Sequence, residues 1–251
     1  MSAPRHLHPG TPPPRIPGAT RVAAILWISM LQVFVVETIV IAGWRGRYSR
    51  SGQFISELGT GQCSALAGCV NLSWLMNASI AVAGLSLAVG AICWARSGAL
   101  DAVLAALLVV GAAGLVGLAF LPLDSHVVLH SLAANIFFAS TPVTLVIASA
   151  RVVRQTRPSP AGIVALLFGL IASSSWVVHA SGLAETNLDD ARGLVQRFLV
   201  YSTLLSIVAL ACALYGAARQ AQPRIASPPS VYSGQRWPTE QAPQRNDQER
   251  R

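Results

Sequence analysis

A group of potential metal ligands lies between two long apolar segments of the chain. His126 and His130 are four positions apart, so both imidazoles would share one face of a helix that began near His126. Asp124 could cap that helix or act as a third ligand, and His179 should lie at a comparable depth in the next apolar segment. The pattern predicts a site for zinc or another divalent metal. Because H-x3-H lacks a catalytic glutamate, the alternative is that these are interfacial residues or hydrogen-bond partners of Glu37 or Asp124.

Glu37 is the most costly residue to bury, since it lies within the first apolar segment. It precedes Trp44 by seven positions, roughly 10 Å inside the end of a helix at 1.5 Å per residue. A charge inside a span costs on the order of 2.5–3.5 kcal/mol on insertion scales, so we expect Glu37 to face a bundle interior, near the helix of His130 or His179. There it would be either a catalytic or proton-handling group or a protonated carboxyl bonded to a neighbouring helix.

The longest polar connection, residues 44–71, contains further candidate residues. A loop of this length is typical of a functional segment, and its Glu57 is a second candidate catalytic residue. Cys63 and Cys69 are six positions apart and could form a disulfide that pins the loop in an oxidising compartment. The bonded and the free states of these two cysteines are both left open.

The composition is that of a membrane protein. Hydrophobic residues make up 53% of the chain and charged residues only 11%, so the lipid bilayer is the expected partner. All 18 basic residues are arginine, a usage typical of a GC-rich bacterial genome. The net charge of +8 is accompanied by no basic helix or aromatic-basic platform, which argues against nucleic-acid binding.

Six apolar stretches predict the fold, because continuous apolar runs of about 20 residues can only be spanning helices. We expect an all-α membrane protein, a bundle of six transmembrane helices within residues 21–217. The Pro-rich residues 1–20 and the polar residues 218–251 are expected to form a disordered arm and tail. The predicted spans are about 22–43, 72–94, 103–121, 127–150, 161–180 and 194–216.

Glycines in the third predicted span indicate close helix packing. Gly111, Gly114 and Gly117 leave a small-residue surface that lets another helix approach. We expect this surface to pack within the chain in preference to forming a dimer, and the oligomeric state is left open.

The arginine distribution predicts the orientation in the membrane. An even number of spans puts both termini on one side, which carries thirteen arginines against five on the other. The positive-inside rule then places both termini in the cytoplasm of a cell whose plasma membrane the chain crosses. The candidate residues would therefore lie at the outer face.

Two short motifs carry a resemblance to a known family. The first comprises Tyr48-Ser49, Ile55 to Gly59 and Asn71, and the second runs from Leu121 to His130. At these positions the chain resembles the domain-of-unknown-function 998 family of six-helix prokaryotic membrane proteins. The resemblance covers about residues 22–216 and implies the helix count and topology, but it implies no activity.

Three functions fit these features. The first is a non-enzymatic membrane protein that binds a lipid, a small ligand or a partner through a polar pocket at its outer face. The second is an intramembrane hydrolase or lipid-modifying enzyme, with a metal held by His126, His130 and Asp124 or His179, and with Glu37 or Glu57 handling protons. The third is a small proton-coupled transporter that titrates Glu37, although the spans have few of the Gly or Pro interruptions typical of transporters.

Overall fold

Six long helices make up most of the protein and confirm the predicted all-α membrane fold. The structure is a computed structural model, and it describes residues 17–61, 69–70, 72–155, 159–182 and 191–220. All six helices are long and apolar enough to cross a bilayer, and their bounds lie within a few residues of the predicted spans.

The ends of the chain are more helical than expected. The first helix begins at Pro17 and the last ends at Gln220, so each reaches a few residues into the predicted arm or tail. Residues 1–16 and 221–251, on which the rest of that prediction falls, lie outside the described residues.

The helices and strands follow in chain order. The first span consists of two helices, and the long loop after it contains two short strands and a 3-10 helix. The elements in the described part of the chain are α1 (Pro17–Ser29), α2 (Gln32–Ala42), β1 (Trp44–Arg45), the 3-10 helix (Ile55–Gly59), β2 (Cys69–Val70), α3 (Ser73–Arg96), α4 (Ala102–Phe120), α5 (Val127–Gln155), α6 (Pro160–Ala180) and α7 (Arg192–Gln220).

The first span is interrupted at residues 30–31, whereas we expected one continuous helix. The backbone there forms a tighter turn, in which the Leu31 N–H donates to Ile28 O at 3.1 Å, without any Gly or Pro. Beside the turn, the Gln32 amide donates to Ser79 O at 2.9 Å and accepts from Ser79 Oγ at 2.8 Å. This pair satisfies polar atoms in an apolar region and fixes the interrupted span against α3.

The spans form a closed ring in chain order, because each packs on the next and α1 packs on both α3 and α7. Glycine allows the closest approach between α4 and α5. A Cβ added at Gly114 would lie 2.6 Å from Ala133 O and 2.9 Å from Phe137 N. The small-residue surface of α4 is therefore covered within the chain, as expected.

The outside of the ring is apolar. Phe120 and Val128, for example, are 73% and 79% exposed. A soluble protein rarely exposes so many large apolar side chains, but a bilayer provides them with an apolar solvent.

The long loop contacts two other parts of the chain at one end of the bundle, the end that we expect to face outward. The Gly61 N–H donates to Asp124 Oδ2 at 3.1 Å, which joins the long loop to the α4–α5 turn. The Leu194 N–H donates to Ser51 O at 3.0 Å, which joins the same loop to α7. Antiparallel pairing of β1 with β2 brings the two ends of the loop together. The long loop thus lies over the end of the helix bundle.

Candidate functional site

Glu37 forms an ion pair inside the bundle. Its side chain and that of Arg197 are each 4% exposed, and Arg197 Nε donates to Glu37 Oε1 at 3.1 Å. The Tyr201 hydroxyl donates to the other carboxylate oxygen at 2.6 Å. The prediction that Glu37 faces the interior is confirmed, but these partners lie on α7, whereas we expected the helix of His130 or His179.

Arg197 also ties the long loop to α7. Its Nη1 donates to the carbonyl oxygens of Arg50 at 2.5 Å, Gln53 at 2.7 Å and Gly193 at 3.2 Å. Its Nη2 donates to the Tyr48 hydroxyl. A guanidinium presents five N–H groups in a planar fork, and the two on Nη1 are shared among these three carbonyl oxygens. We call this set of side chains the arginine clamp: Glu37, Tyr48, Arg197 and Tyr201.

The position of Arg197 in the sequence also indicated this clamp, although none of the three functions considered made use of it. We counted Arg197 only among the outer-face arginines. It lies four positions before Tyr201 within an apolar segment, so both side chains share one helical face. A basic residue in a span is a natural partner for a buried carboxylate such as Glu37.

Tyr48, a residue of the long loop, is half-buried. Burial raises the pKa of its phenol above the ordinary value, and the positive charge of Arg197 acts in the opposite direction. The phenol therefore stays neutral at neutral pH and accepts a hydrogen bond from Arg197. Its ring lies against Trp44, with 4.9 Å between ring centroids.

Glu57, the second candidate catalytic carboxylate, closes the turn that begins the 3-10 helix. Its Oε1 accepts from the Phe54 N–H at 3.1 Å, and its Oε2 accepts from Gln53 Nε2 at 3.2 Å. Arg192 Nη2 lies 4.0 Å from Oε1, while its guanidinium carbon lies 5.0 Å from the centroid of the Phe54 ring. In this structure Glu57 therefore organises the loop.

A partly open cavity of about 70 Å³ lies beneath the loop, between the 3-10 helix and α2, α3, α4, α5 and α7. We call it the outer cavity. Most of its lining is apolar, whereas we expected a polar pocket; apolar lining residues include Ile55, Met76, Leu115, Phe137 and Phe138. The polar residues of the lining are all neutral groups or an imidazole: Ser56, Asn77, His130 and Gln196.

The two histidines of the H-x3-H pattern have different environments. His126 is exposed and precedes α5, which begins at Val127. His130 is buried in the first turns of α5 and lines the outer cavity, with its Nδ1 2.7 Å from Leu121 O. The His130 N–H donates to His126 O at 2.8 Å, so His126 lies at the start of the helix, where its side chain is exposed whereas that of His130 is buried.

The other predicted ligands contact the loop. Asp124 accepts from the Gly61 N–H, and the His179 ring lies edge-on to Phe54 with 5.9 Å between ring centroids. Among the described residues, no group of three or more His, Cys, Asp or Glu side chains is placed to hold a metal ion. The metal site stays a prediction that lacks a third ligand in this part of the chain.

The predicted disulfide falls largely outside the described residues. Cys63 is not among them, and Cys69 is described only by its backbone in β2. The bond between them stays a prediction.

The two sequence motifs meet at the outer cavity. Ile55, Ser56 and Gly59 of the first motif line it together with Pro122 and His130 of the second. A family model described as a protein of unknown function (DUF998) matches residues 22–213, which is most of the chain. No curated protein and no solved structure matches the chain significantly. With six membrane-spanning helices and a match of this extent, the chain belongs to the DUF998 family.

Proposed function

We propose that the protein binds one end of a lipid or another small amphiphile in the outer cavity. The observation that carries this proposal is the convergence of both sequence motifs on a single cavity with an apolar lining and a few polar groups. Ligand pockets typically combine these two features. A cavity of about 70 Å³ is small beside the roughly 300–1,000 Å³ of pockets that enclose a whole small molecule, so it would hold only one end of the amphiphile. The rest of the amphiphile would extend beyond the cavity.

The arginine clamp supports binding by holding the roof of this cavity. Arg197 bonds the backbone at Arg50 and Gln53, immediately before the 3-10 helix that lines the cavity. A binding pocket whose wall is fixed before the ligand arrives loses less conformational entropy on binding. The clamp is thus a positioning device in this proposal.

The carboxylates favour binding over proton chemistry. Glu37 is engaged by Arg197 and Tyr201, and Glu57 is engaged by the loop backbone. A general base or a titrating transport group must be able to exchange its proton with a substrate or water. Both carboxylates would have to break several contacts to do so.

A cavity-filling substitution tests the proposal. Ala134→Leu adds three carbon atoms to a half-buried residue of the lining, which should occupy most of the cavity. The ligands are oleoyl amphiphiles with different head groups, including 1-monooleoylglycerol and oleate, and the measurement is native mass spectrometry in detergent micelles. We expect one molecule of at least one amphiphile to bind the wild type, and at least about tenfold weaker binding by Ala134→Leu.

Ala106→Leu is the matched variant, since Ala106 lies on the exposed outer side of α4. It should bind like the wild type. Absence of saturable binding to the wild type, or an equal loss in both variants, would contradict the proposal.

We also propose that the outer cavity faces away from the cytoplasm at the plasma membrane, with both termini inside. The side of the termini carries thirteen arginines and the other side carries five, and the positive-inside rule places the side richer in arginine in the cytoplasm. A green fluorescent protein fused after residue 251 should fluoresce, and alkaline phosphatase at that position should be inactive. The opposite pair of results would reverse the topology.

A further inference from the structure

Gln196 presents a hydrogen-bond donor to the outer cavity. The side chain lines the cavity and is only 9% exposed. Its Oε1 accepts from the Ile55 N–H at 2.6 Å, and this contact fixes which end of the amide is the oxygen. Among the described residues, Nε2 has no hydrogen-bond acceptor. Two N–H groups are therefore available to a ligand.

Asn77 and His130 present acceptors to the same cavity. Asn77 Nδ2 donates to Gly59 O at 3.0 Å, which leaves Oδ1 as the free end of the amide among the described residues. His130 is 8% exposed, and its Nδ1 must carry the hydrogen because its partner, Leu121 O, can only accept. In the neutral ring Nε2 is then an acceptor, and no described residue donates to it.

The lining excludes a charged end group. Among the described residues, the lining contains no Arg, Lys, Asp or Glu. Arg197, a buried cation, directly follows Gln196 in the sequence, but it is already engaged by Glu37 and the loop carbonyls. An ionised phosphate or carboxylate in the cavity would lose its hydration without gaining a counter-ion, which is strongly unfavourable.

We infer that the outer cavity recognises an uncharged amphiphile whose end carries both a carbonyl oxygen and a hydroxyl group, as in a monoacylglycerol. The Gln196 Nε2 group donates to the carbonyl, and the hydroxyl donates to His130 Nε2. This inference rests on the proposed function and specifies the ligand of the same cavity. Recognition by matched donors and acceptors discriminates strongly, because a ligand that lacks one of them leaves a buried polar group unpaired.

A panel of C18 ligands separates the contributions of the carbonyl, the hydroxyl and the charge. The panel comprises 1-monooleoylglycerol, methyl oleate with only the carbonyl group, oleyl alcohol with only the hydroxyl, 1-octadecene with neither, and oleoyl lysophosphatidate with both groups and a phosphate. Affinities are measured on the purified full-length protein by native mass spectrometry. We expect 1-monooleoylglycerol to bind at least about tenfold more tightly than each of the other four ligands.

Two substitutions by side chains of similar size show which residue contacts the carbonyl and which contacts the hydroxyl. Gln196→Met is close in shape but carries no N–H donor, so it should weaken 1-monooleoylglycerol and methyl oleate more than oleyl alcohol. His130→Asn keeps a donor for Leu121 O but removes the Nε2 acceptor, so it should weaken 1-monooleoylglycerol and oleyl alcohol and leave methyl oleate unchanged. A defect in folding would instead weaken all ligands together and lower the thermal unfolding temperature.

The panel also distinguishes failure of this inference from failure of the proposed function. Equal binding of all five ligands, still sensitive to Ala134→Leu, would overturn the head-group inference and retain an apolar binding site. Equal or tighter binding of oleoyl lysophosphatidate would also overturn it. Absence of binding by every ligand would contradict both proposals.

Discussion

Replacing Arg197 by Met is expected to lower the free energy of unfolding by about 3–5 kcal/mol, the range measured when one partner of a buried ion pair is removed. The substitution leaves the Glu37 carboxylate buried without its cation. It also removes the hydrogen bonds to the carbonyl oxygens of Arg50, Gln53 and Gly193. Reversible unfolding of the purified protein by dodecyl sulfate in mixed micelles, followed by tryptophan fluorescence, measures this change.

Arg47→Met provides the matched substitution. Arg47 is exposed in the same loop, and no hydrogen bond or ion pair joins it to another described residue. A surface change of this kind should alter the free energy of unfolding by no more than about 0.5 kcal/mol. Similar losses for Arg47→Met and Arg197→Met would show that the clamp does not stabilise the fold.

Adding a substitution at Glu37 to Arg197→Met distinguishes the energy of the ion pair from that of the loop contacts. The double variant Glu37→Leu/Arg197→Met contains no buried unpaired carboxylate, so it should be more stable than Arg197→Met alone. It should still be less stable than the wild type, because the loop carbonyls of Arg50 and Gln53 lose their donor. Glu37→Leu alone completes the comparison. If the loss of unfolding free energy in the double variant equals the sum of the losses in the two single variants, Glu37 and Arg197 are not energetically coupled.

The six spans and the interior position of Glu37 followed from the sequence because both depend on local transfer energies. A run of apolar residues must form a helix in the bilayer, wherever its neighbours are. A carboxylate within that run must avoid lipid, whichever helix it meets. Neither statement requires knowledge of the tertiary arrangement.

The partner of Glu37 depends on which helices are neighbours. The ring is closed by the first span against α7, the helix most distant from it along the chain. Residues 37 and 197 therefore meet across the closure, and nothing in either segment alone specifies that pairing. We expected Glu37 to lie near the helix of His130 or His179, whereas its partners are on α7.

The two histidines illustrate a different difficulty. A spacing of four places two side chains on one face only if both residues are helical. The helix begins at Val127, so His126 lies outside it while His130 lies within it. The His130 N–H still donates to His126 O, so the two residues are one turn apart as the spacing predicts, but the spacing does not show that His126 is exposed and His130 buried.

Gly193→Ala is expected to separate the long loop from α7 and to lower the free energy of unfolding by at least about 2 kcal/mol, within the range for overpacked sites. An added Cβ would overlap Gln53 O and lie 2.7 Å from Ser51 O. These are backbone atoms on both sides of Gly52, so no side-chain rotation relieves the overlap. The free energy of unfolding and the rate of trypsin cleavage after Arg47 and Arg50 both report the change, and the cleavage rate should rise several-fold.

Gly216→Ala makes the same chemical change on the same helix at a position where a Cβ meets nothing within 4 Å. It should leave trypsin cleavage unchanged and stabilise the helix by up to about 1 kcal/mol. Because the loop roofs the outer cavity, Gly193→Ala should also weaken 1-monooleoylglycerol binding, whereas Gly216→Ala should not. Unchanged cleavage of the loop in Gly193→Ala would mean that the loop accommodates the extra carbon. The cavity wall would then be positioned by something other than the close contact between the loop and α7.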